Sequence, residues 1–536
     1  MSFYLLHAGE SLQKMTTGGA LTNITLPSGT SLSGQRDRPA RFAILSNQVI
    51  VVNAPSVNIV LDPTDLSMRV LTIDGPTTNL AAVSGGAGNL KGTYRYGYTF
   101  AILDGDTILT ESPMSPLSDP TNFVNNSASL SSIDTSGTSG VNARIIYRTT
   151  SNGATFFEAT RIANNSGTTT TDNTSDYDLA LLASSEPKGN PPGHDGSDRF
   201  RIIVSWKDRL FASPLNDPDD VWISGNREIY SWSESRKFTV KTAGEDQWGV
   251  TAFMARRDEL VIAKRRKLWK IIGDSPSNFE QILIADGIGC LTQNAAIVVR
   301  DTCYFMGEDG LYEYGNEGVK KLSRDKVEPW FTTDDYFDRA YFTDDGVDCP
   351  HLKYNQRYDK LELHLAPLGT DSIDRWVDYD IKQKAWFGPH RADNHTFLCA
   401  GTINDTNDML IPVVGTAHGF LETQSPGVFS DTGQTILMDV VTKFHSGNTP
   451  DIEKYWGELA MLTKVEAAGD LTITPTIGGL DASAGVAITH DLTLGRERLP
   501  RLGTGRLCQL RFQNSENEQG VTIYGYEIPF HELGRR

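Results

Sequence analysis

A unit of about 40 residues recurs along the middle of the chain, and it limits the available folds more than any other feature. Its grammar is a strand, a charged turn, a buried strand, a Gly-containing turn and an aromatic strand. Phe200-Arg201-Ile202-Ile203-Val204 leads to Asp208-Arg209-Leu210-Phe211-Ala212 and then to Asp220-Val221-Trp222-Ile223. Gly249-Val250-Thr251-Ala252-Phe253 leads to Asp258-Glu259-Leu260-Val261-Ile262-Ala263 and Lys267-Leu268-Trp269-Lys270-Ile271. A third copy runs from Ala296 to Tyr314, a fourth from Leu352 to Phe387, and a weaker fifth from Thr396 to Leu421. The stretch Phe42 to Met68 has the same grammar near the start. Four-stranded propeller blades are the standard structure for such a period. Closing the ring with strands from a distant part of the chain would remove the free sheet edge. An open run of antiparallel sheets is the other fold with this pattern.

Between the first unit and the rest lies a segment of different composition, from about Thr77 to Pro187, dense in Gly, Ser, Thr and Asn. Within it, Tyr94 to Leu103 and Ala143 to Thr149 alternate aliphatic or aromatic residues with polar ones, as half-buried strands do. Seven or so short strands over roughly a hundred residues suit an immunoglobulin-like sandwich. With its Glu111-Ser112-Pro113 exit and Ile-Tyr-Arg strand, the segment resembles the fibronectin type III pattern. Tyr96 and Tyr147 are expected to be core aromatics. Gly189 to Ser197 reads as a linker. From Gln434 to Arg536 a new alternation, seen in Thr435 to Thr442, Asp470 to Pro475 and Arg506 to Phe512, predicts a further antiparallel sandwich.

The expected fold is therefore all-β, a β-propeller with an inserted Ig/fibronectin-like sandwich and a C-terminal β-sandwich. Residues 1–76 supply N-terminal strands that complete the propeller, 77–194 the inserted sandwich and linker, 195–433 the propeller and 434–536 a docking domain. Helical periodicity is nearly absent; Asp325 to Phe331 is at most a helical turn.

Charge narrows the function. Over 536 residues, Lys and Arg number 49 against 67 Asp and Glu, a formal net charge of −18, which disfavours gripping nucleic acid or an anionic membrane. The five cysteines, Cys290, Cys303, Cys349, Cys399 and Cys508, have no paired C-x-x-C spacing and read as free thiols. The first ten residues lack the basic region of a signal sequence, and no apolar run reaches the roughly eighteen residues of a membrane span. A soluble product made and used in the cytoplasm, or exported by a route without a signal, is expected.

Motifs with a catalytic mechanism behind them are absent. There is no G-x-S-x-G elbow, no P-loop, no H-E-x-x-H and no Asp-box of the sialidase kind. The ten histidines lack metal-binding spacing and read as packing or surface residues. Asp172 to Asp178, Asn216 to Asp220 and Thr333 to Tyr336 offer alternate oxygens, but turn chemistry accounts for them without calcium. The basic run Arg256-Arg257 with Lys264-Arg265-Arg266-Lys267 reads as a solvated or subunit-facing hairpin. The nine tryptophans read as wedges between sheets, or alternatively as sugar platforms. No catalytic, cofactor or metal residue is assigned, and binding residues are unknown.

Three stretches carry a resemblance: Trp206 to Ala212 with Asp217 to Trp222, Asp286 to Cys290 followed by Gly307 to Tyr312, and the end Gly525 to Pro529 with Gly534-Arg535-Arg536. In these the chain resembles the β-propeller tail nozzle or tail-hub (tail tubular protein B-like) proteins of short-tailed bacteriophages, over residues 195 to 536 and the first unit. The resemblance implies a non-enzymatic structural protein of the virion tail, without cofactor, assembled in the host cytoplasm. It implies a ring, hexameric, that continues the DNA-ejection channel below the portal and adaptor proteins. Its partners would be its own copies, the adaptor and portal-side rings, and tail fibres or tailspikes, with DNA only passing through. A host-surface glycan-binding or glycan-cleaving propeller is the alternative from another class. A WD-type scaffold lacks the G-H and W-D signatures.

Overall fold

The computed structural model describes residues 3–16, 19–34, 38–185, 188–192, 198–240, 249–324, 326–333, 350–367, 370, 372–392, 395–405, 407–423, 430–431, 434–479, 481–516 and 519–534. The chain is all-β, with 53% of its residues in strands and 3% in helices, and its sheets are small and antiparallel. It divides into two compact units, Met1–Ala392 with Thr396–Leu421, and Asp393–His395 with Glu422–Arg536. Residues 193–197 of the expected linker, Trp248, Cys349, the Asp334-Asp335-Tyr336 stretch and Arg535-Arg536 lie outside the described residues.

Among the described residues six sheets follow one another through the first unit, each a meander in chain order. The first comprises Arg41–Leu45, Gln48–Val52, Ile59–Leu61 and Met68–Val70. The second comprises Phe200–Trp206, Arg209–Pro214, Asp220–Ile223 and Phe238–Thr239. Ala252–Ala255, Leu260–Ala263, Lys267–Ile272 and Glu280–Asp286 make the third. Ala296–Val299, Thr302–Gly307, Gly310–Gly315 and Gly318–Lys321 make the fourth. The fifth is His351–Asn355, Lys360–Leu365, Arg375–Asp380 and Ala385–Arg391, and the sixth is built on Phe397–Asn404 and Leu410–Thr416.

Local chemistry explains the charged turns. Ser46-Asn47, Lys207-Asp208 and Arg300-Asp301 close the first hairpins of three sheets, and both residues of each pair have positive φ. That two-residue turn matches the right-handed twist of the flanking strands. Asn and Asp tolerate the left-handed conformation better than other residues with a Cβ, which fits their place at the second position.

The second strand of the early sheets is apolar on both faces, so alternate residues serve two neighbours. In Gln48–Val52, Ile50 and Val52 pack with Leu210, Ala212 and Trp222 of the second sheet. Val49 and Val51 face Leu12, Ile24 and Leu32 of the N-terminal segment. In Leu260–Ala263, Leu260 and Ile262 join Phe211 and Val221 of the second sheet, while Val261 and Ala263 join Cys303 and Phe305 of the fourth. Tyr304 and Met306 then face Leu352, Leu361 and Leu363 of the fifth. Burying one such aliphatic side chain is worth about 1.5–3 kcal/mol, so neither face can be left in water. The first strands of successive sheets pack side by side from the first sheet through to the sixth.

An N-terminal sheet, Phe3–Ala8, Ser11–Thr16 and Leu21–Asn23, covers the free face of the first sheet. It also reaches the sixth: the Tyr4 hydroxyl donates to the Asn404 carbonyl and accepts from the Asn404 N–H, both at 3.0 Å. Both ends of the sheet series therefore meet the same N-terminal element.

Two sheets facing each other are inserted between the first and second sheets of the series. Thr107–Glu111, Tyr96–Asp104, Ala143–Thr149 and Phe156–Ile162 form one, and Thr170–Asp172, Thr121–Ser131 and Ala81–Tyr94 the other. Their common core holds Tyr94, Tyr96, Tyr98, Phe100, Phe123, Leu130 and Ile146. Tyr147 packs on the opposite face of its sheet with Ala101 and Ile145. After Glu111 the chain runs Ser112-Pro113-Met114-Ser115-Pro116-Leu117-Ser118, whose prolines cannot donate to a ladder. Backbone N–H groups of Ser112, Ser115 and Ser118 donate to Phe100, Tyr98 and Tyr96, and the three serine hydroxyls accept from the N–H groups of those same residues. Gly189 and Pro192 are pinned rather than loose, accepting from the Trp232 N–H and the Asn58 side chain.

Among the described residues the second unit has a two-stranded sheet, Ser430–Asp431 with Gln434–Thr435, and two larger sheets. One is Met438–Val441, Leu507–Asn514, Asp470–Gly478 and Ile488–Asp491; the other is Arg496–Gly505 and Glu453–Thr463 with Ile523–Glu527 and Phe530–Gly534. Trp456, Leu459, Met461, Leu471, Ile473, Leu499, Leu510 and Phe512 form their core. In the first unit, Leu260→Ala should cost about 2–5 kcal/mol by urea denaturation, and Val261→Ala, facing the other way, a smaller but measurable amount. A change under about 0.5 kcal/mol at either position would contradict two-sided packing.

Candidate functional site

The charged clusters visible in the sequence are consumed by the fold. Arg256 pairs with Glu259 and reaches across to Asp301 at 3.2 Å and Asn316 at 2.9 Å, tying the third sheet to the fourth. Lys264, almost fully buried, meets Asp219 of the second sheet at 2.9 Å. Arg265 and Arg266 converge on Glu308 at 2.6 and 2.9 Å. Burial pushes the Glu308 carboxyl up, but its hydrogen bonds from these two arginines outweigh burial and hold it below the ordinary range. The run expected to be solvated or subunit-facing is thus a set of staples between sheets, with Arg257 and Arg266 exposed.

Asp172 to Asp178 is likewise spent internally. Asp172 and Arg148 form an ion pair at 2.9 Å with both side chains inaccessible to solvent. Asp176 adds a second carboxylate at 3.0 Å, and the guanidinium lies over the Tyr94 ring. The Ser175 hydroxyl caps the short helix Asp176–Ala180 by accepting from the Asp178 N–H. Asp220 meets Lys237 at 3.4 Å and accepts from the Thr239 hydroxyl. Trp206, Trp222, Trp232, Trp269 and Trp456 are buried in the layers between sheets. Cys290, Cys303 and Cys508 are buried free thiols, and burial pushes Cys290 up to about 12. Among the described residues no three His, Cys, Asp or Glu side chains converge as a metal site would require.

Polar chemistry not consumed in this way concentrates on one face of the fifth sheet. Strand register sets His351 opposite His364, His364 opposite Trp376, and Trp376 opposite His390, a row that crosses the sheet from its first strand to its last. His364 stacks on Trp376 at 5.6 Å and meets Phe397 of the sixth sheet edge-on. Glu362 and Asp378 lie on the same face, 3.8 Å from His364 and 3.5 Å from His390. Among the described residues, both ring nitrogens of His364, the Trp376 indole nitrogen and one Asp378 oxygen are buried without a hydrogen bond. The His351 Nδ1 lies 3.2 Å from the Ala400 nitrogen and 3.3 Å from its carbonyl oxygen, bridging to the sixth sheet. Burial holds His351 well below its ordinary 6.5, helped by Lys353, His364 and Arg41, against the opposing Ala400 hydrogen bond.

A second polar centre lies where the inserted sheets meet the second sheet. Glu111 is buried and accepts from the Thr99 hydroxyl at 2.8 Å and from the Tyr147 hydroxyl on one oxygen. Its other oxygen has no hydrogen bond among the described residues. Burial raises Glu111 above its ordinary 4.5 despite the nearby Lys188 and these hydrogen bonds, and Glu228 adds to the rise. Lys188 itself pairs with Glu228 at 2.9 Å over the Tyr230 ring. Both centres are buried where neighbouring sheets meet and both hold titratable groups, so both read as pH-sensitive seams.

Sequence spacing did not reveal the histidine row, because its members lie 13, 12 and 14 positions apart. Alternation in Lys360-Leu361-Glu362-Leu363-His364-Leu365 was the available signal: one face is apolar and the other polar, unlike Leu260 to Ala263. No family model and no curated protein matches the chain.

Both seams give signed pH dependences. The neutral His351 must take up a proton more readily unfolded than folded, so stability is lost as pH falls below about 6.5. His351→Gln should flatten that loss in thermal melts between about pH 6.5 and 4.5; an unchanged slope would count against a buried neutral imidazole. Glu111 has the opposite sign, since a raised carboxyl stabilises at low pH and loses that contribution as pH climbs above 4.5. The melting temperature of Glu111→Gln relative to the parent should therefore increase with pH, and parallel curves would exclude the effect.

Proposed function

We propose that this chain is a structural virion protein, the tail nozzle or hub of a tailed phage. Copies of it would form a ring, hexameric, that continues the DNA-ejection channel below the portal and adaptor. One observation carries the reading: six small antiparallel sheets follow one another with their first strands packed in sequence, and a two-sheet module interrupts them after the first. That arrangement supports a six-sheet β-propeller closed through the N-terminal sheet, which touches the first and sixth sheets. In the inserted module, two hairpins joined through Tyr96–Asp104 and Ala143–Thr149 support an Ig/fibronectin-like sandwich. The two facing sheets of the second unit support a C-terminal β-sandwich.

On this reading the protein is not an enzyme. Its function lies in shape and charge, and its partners are its own copies, the adaptor and portal-side rings and the tail fibres or tailspikes. Some cations are taken up by ion pairs between sheets, and with a net charge of −18 a channel lined by acidic groups would let phosphate slide without adsorbing. The glycan-binding alternative needs aromatic faces open to solvent; burial withholds Trp206, Trp222, Trp232, Trp269 and Trp456, whereas Tyr177, Phe420 and Tyr524 are exposed singly.

Native mass by light scattering, with negative-stain images of the same sample, tests the proposal. The expected result is a closed ring of about six copies around a central channel. A monomer at every concentration, or an oligomer without a lumen, would overturn it.

A further inference from the structure

Among the described residues the four-stranded sheet of the second unit ends in two edges that no further strand pairs with, although at one of them the Asp491 N–H donates to the Glu497 carboxylate at 3.3 Å. Among the described residues, Met438–Val441 pairs only with Leu507–Asn514, and Ile488–Asp491 only with Asp470–Gly478. An exposed edge is a template for another strand, and proteins normally block it with Lys, Pro or a bulge. Met438–Val441 carries none of these blocks. Its one charge, Asp439, is neutralised by Arg511 at 2.8 Å. Apolar side chains in and beside it are open to solvent on both faces: Ile436 is 51% exposed, Leu437 66%, Val440 48% and Val441 52%. A strand added at this edge would take up its free backbone groups and set cross-strand neighbours beside these side chains on both faces. Beside the opposite edge, Val486 is 86% and Leu494 53% exposed.

We propose that these two edges are one interface between copies of this chain, with Met438–Val441 of one copy pairing antiparallel to Ile488–Asp491 of the next. The inference rests on the multi-copy reading above and names the surface that would make the ring. Strand parity supplies the argument. Four strands, each antiparallel to its neighbour, leave the outermost two running in opposite directions. Rotation of a copy about an axis along the strands keeps those directions, so its first edge meets the previous copy's last edge antiparallel. Because the two edges differ, the contact is head-to-tail and closes into a ring when the rotation divides a full turn.

Side-chain alternation restricts the register. Val440 pairs with Phe512, and Ile488 with Ile473, so Val440 and Ile488 both point to the core side. A shift by one residue would turn one edge inside out. Setting Val440 opposite Ile488 places Val441 against Ala487 and Asp439 against Thr489, and no like charges meet.

Val441 and Ala487 are exposed, which makes them the test pair. In the full chain with the exposed Cys399 replaced (Cys399→Ser), Val441→Cys together with Ala487→Cys should cross-link on oxidation into a ladder ending at a closed species of the native ring mass. Neither single variant should do so. A native ring without cross-linking would overturn the edge pairing and leave the nozzle reading standing. Dimers from Val441→Cys alone would mean that the edge pairs with its own counterpart, which also overturns the proposal. Cross-linked chains that never close would uphold the edges and sink the ring, and an uncross-linked monomer would sink both. Val441→Lys adds an edge block on an exposed position. It should weaken assembly by about tenfold or more, equivalent to 1.4 kcal/mol, with the unfolding temperature of the single chain unchanged; undiminished assembly would overturn the proposal.

Discussion

Strands that are apolar on both faces are the constraint on which the first unit depends. Leu260 to Ala263 and Gln48 to Val52 cannot sit on a surface, because either face left in water would forfeit several buried aliphatic contacts. A sheet containing such a strand must be covered twice, and its cover is the next sheet, which carries the same demand. The series therefore continues until something different ends it. At one end the N-terminal sheet covers Val49 and Val51; at the other the fifth sheet turns a polar face toward the sixth. Tyr4 bonding to Asn404 brings those two ends to one place.

Charged residues work within this frame as staples between layers. Apolar stacking fixes which sheets face each other but constrains sliding weakly, whereas Arg256 to Asp301 and Lys264 to Asp219 each join two particular sheets. Desolvation of Arg256 and Lys264 offsets much of the Coulombic attraction, so these pairs serve geometry more than net stability. Arg148 does the same within the inserted module, held by Asp172, Asp176 and the face of Tyr94. Other cations stay on the surface, among them Arg496, Arg498, Arg501 and Arg506 of the second unit.

The fifth-to-sixth boundary and the Glu111 junction differ from the other contacts because their groups titrate. His351 is held neutral by burial and Glu111 is pushed toward its protonated form, so acid loosens one seam while base loosens the other. His364, with neither ring nitrogen hydrogen-bonded among the described residues, is held by packing against Trp376 and Phe397.

Much of this was legible in the chain itself. Period-two alternation determined the all-β class, and the charged turn of the repeat was legible because turn chemistry is local; the positive φ of both residues in pairs such as Lys207-Asp208 came from the structure. The composition shift after Thr77 marked the inserted module, and the buried status of Tyr96 and Tyr147 followed from alternation. Partners were not legible. The sequence showed a basic run at 264–267 but not Asp219 and Glu308 waiting in neighbouring sheets, and ten scattered histidines but not the register that aligns three of them. It likewise showed Asp172 among acidic turn residues, but not that Arg148 would be buried against it. Alternation is a property of neighbouring residues and survives in one dimension. Pairing across sheets joins residues tens of positions apart, and only folding, by bringing those strands side by side, decided which charges and rings would meet.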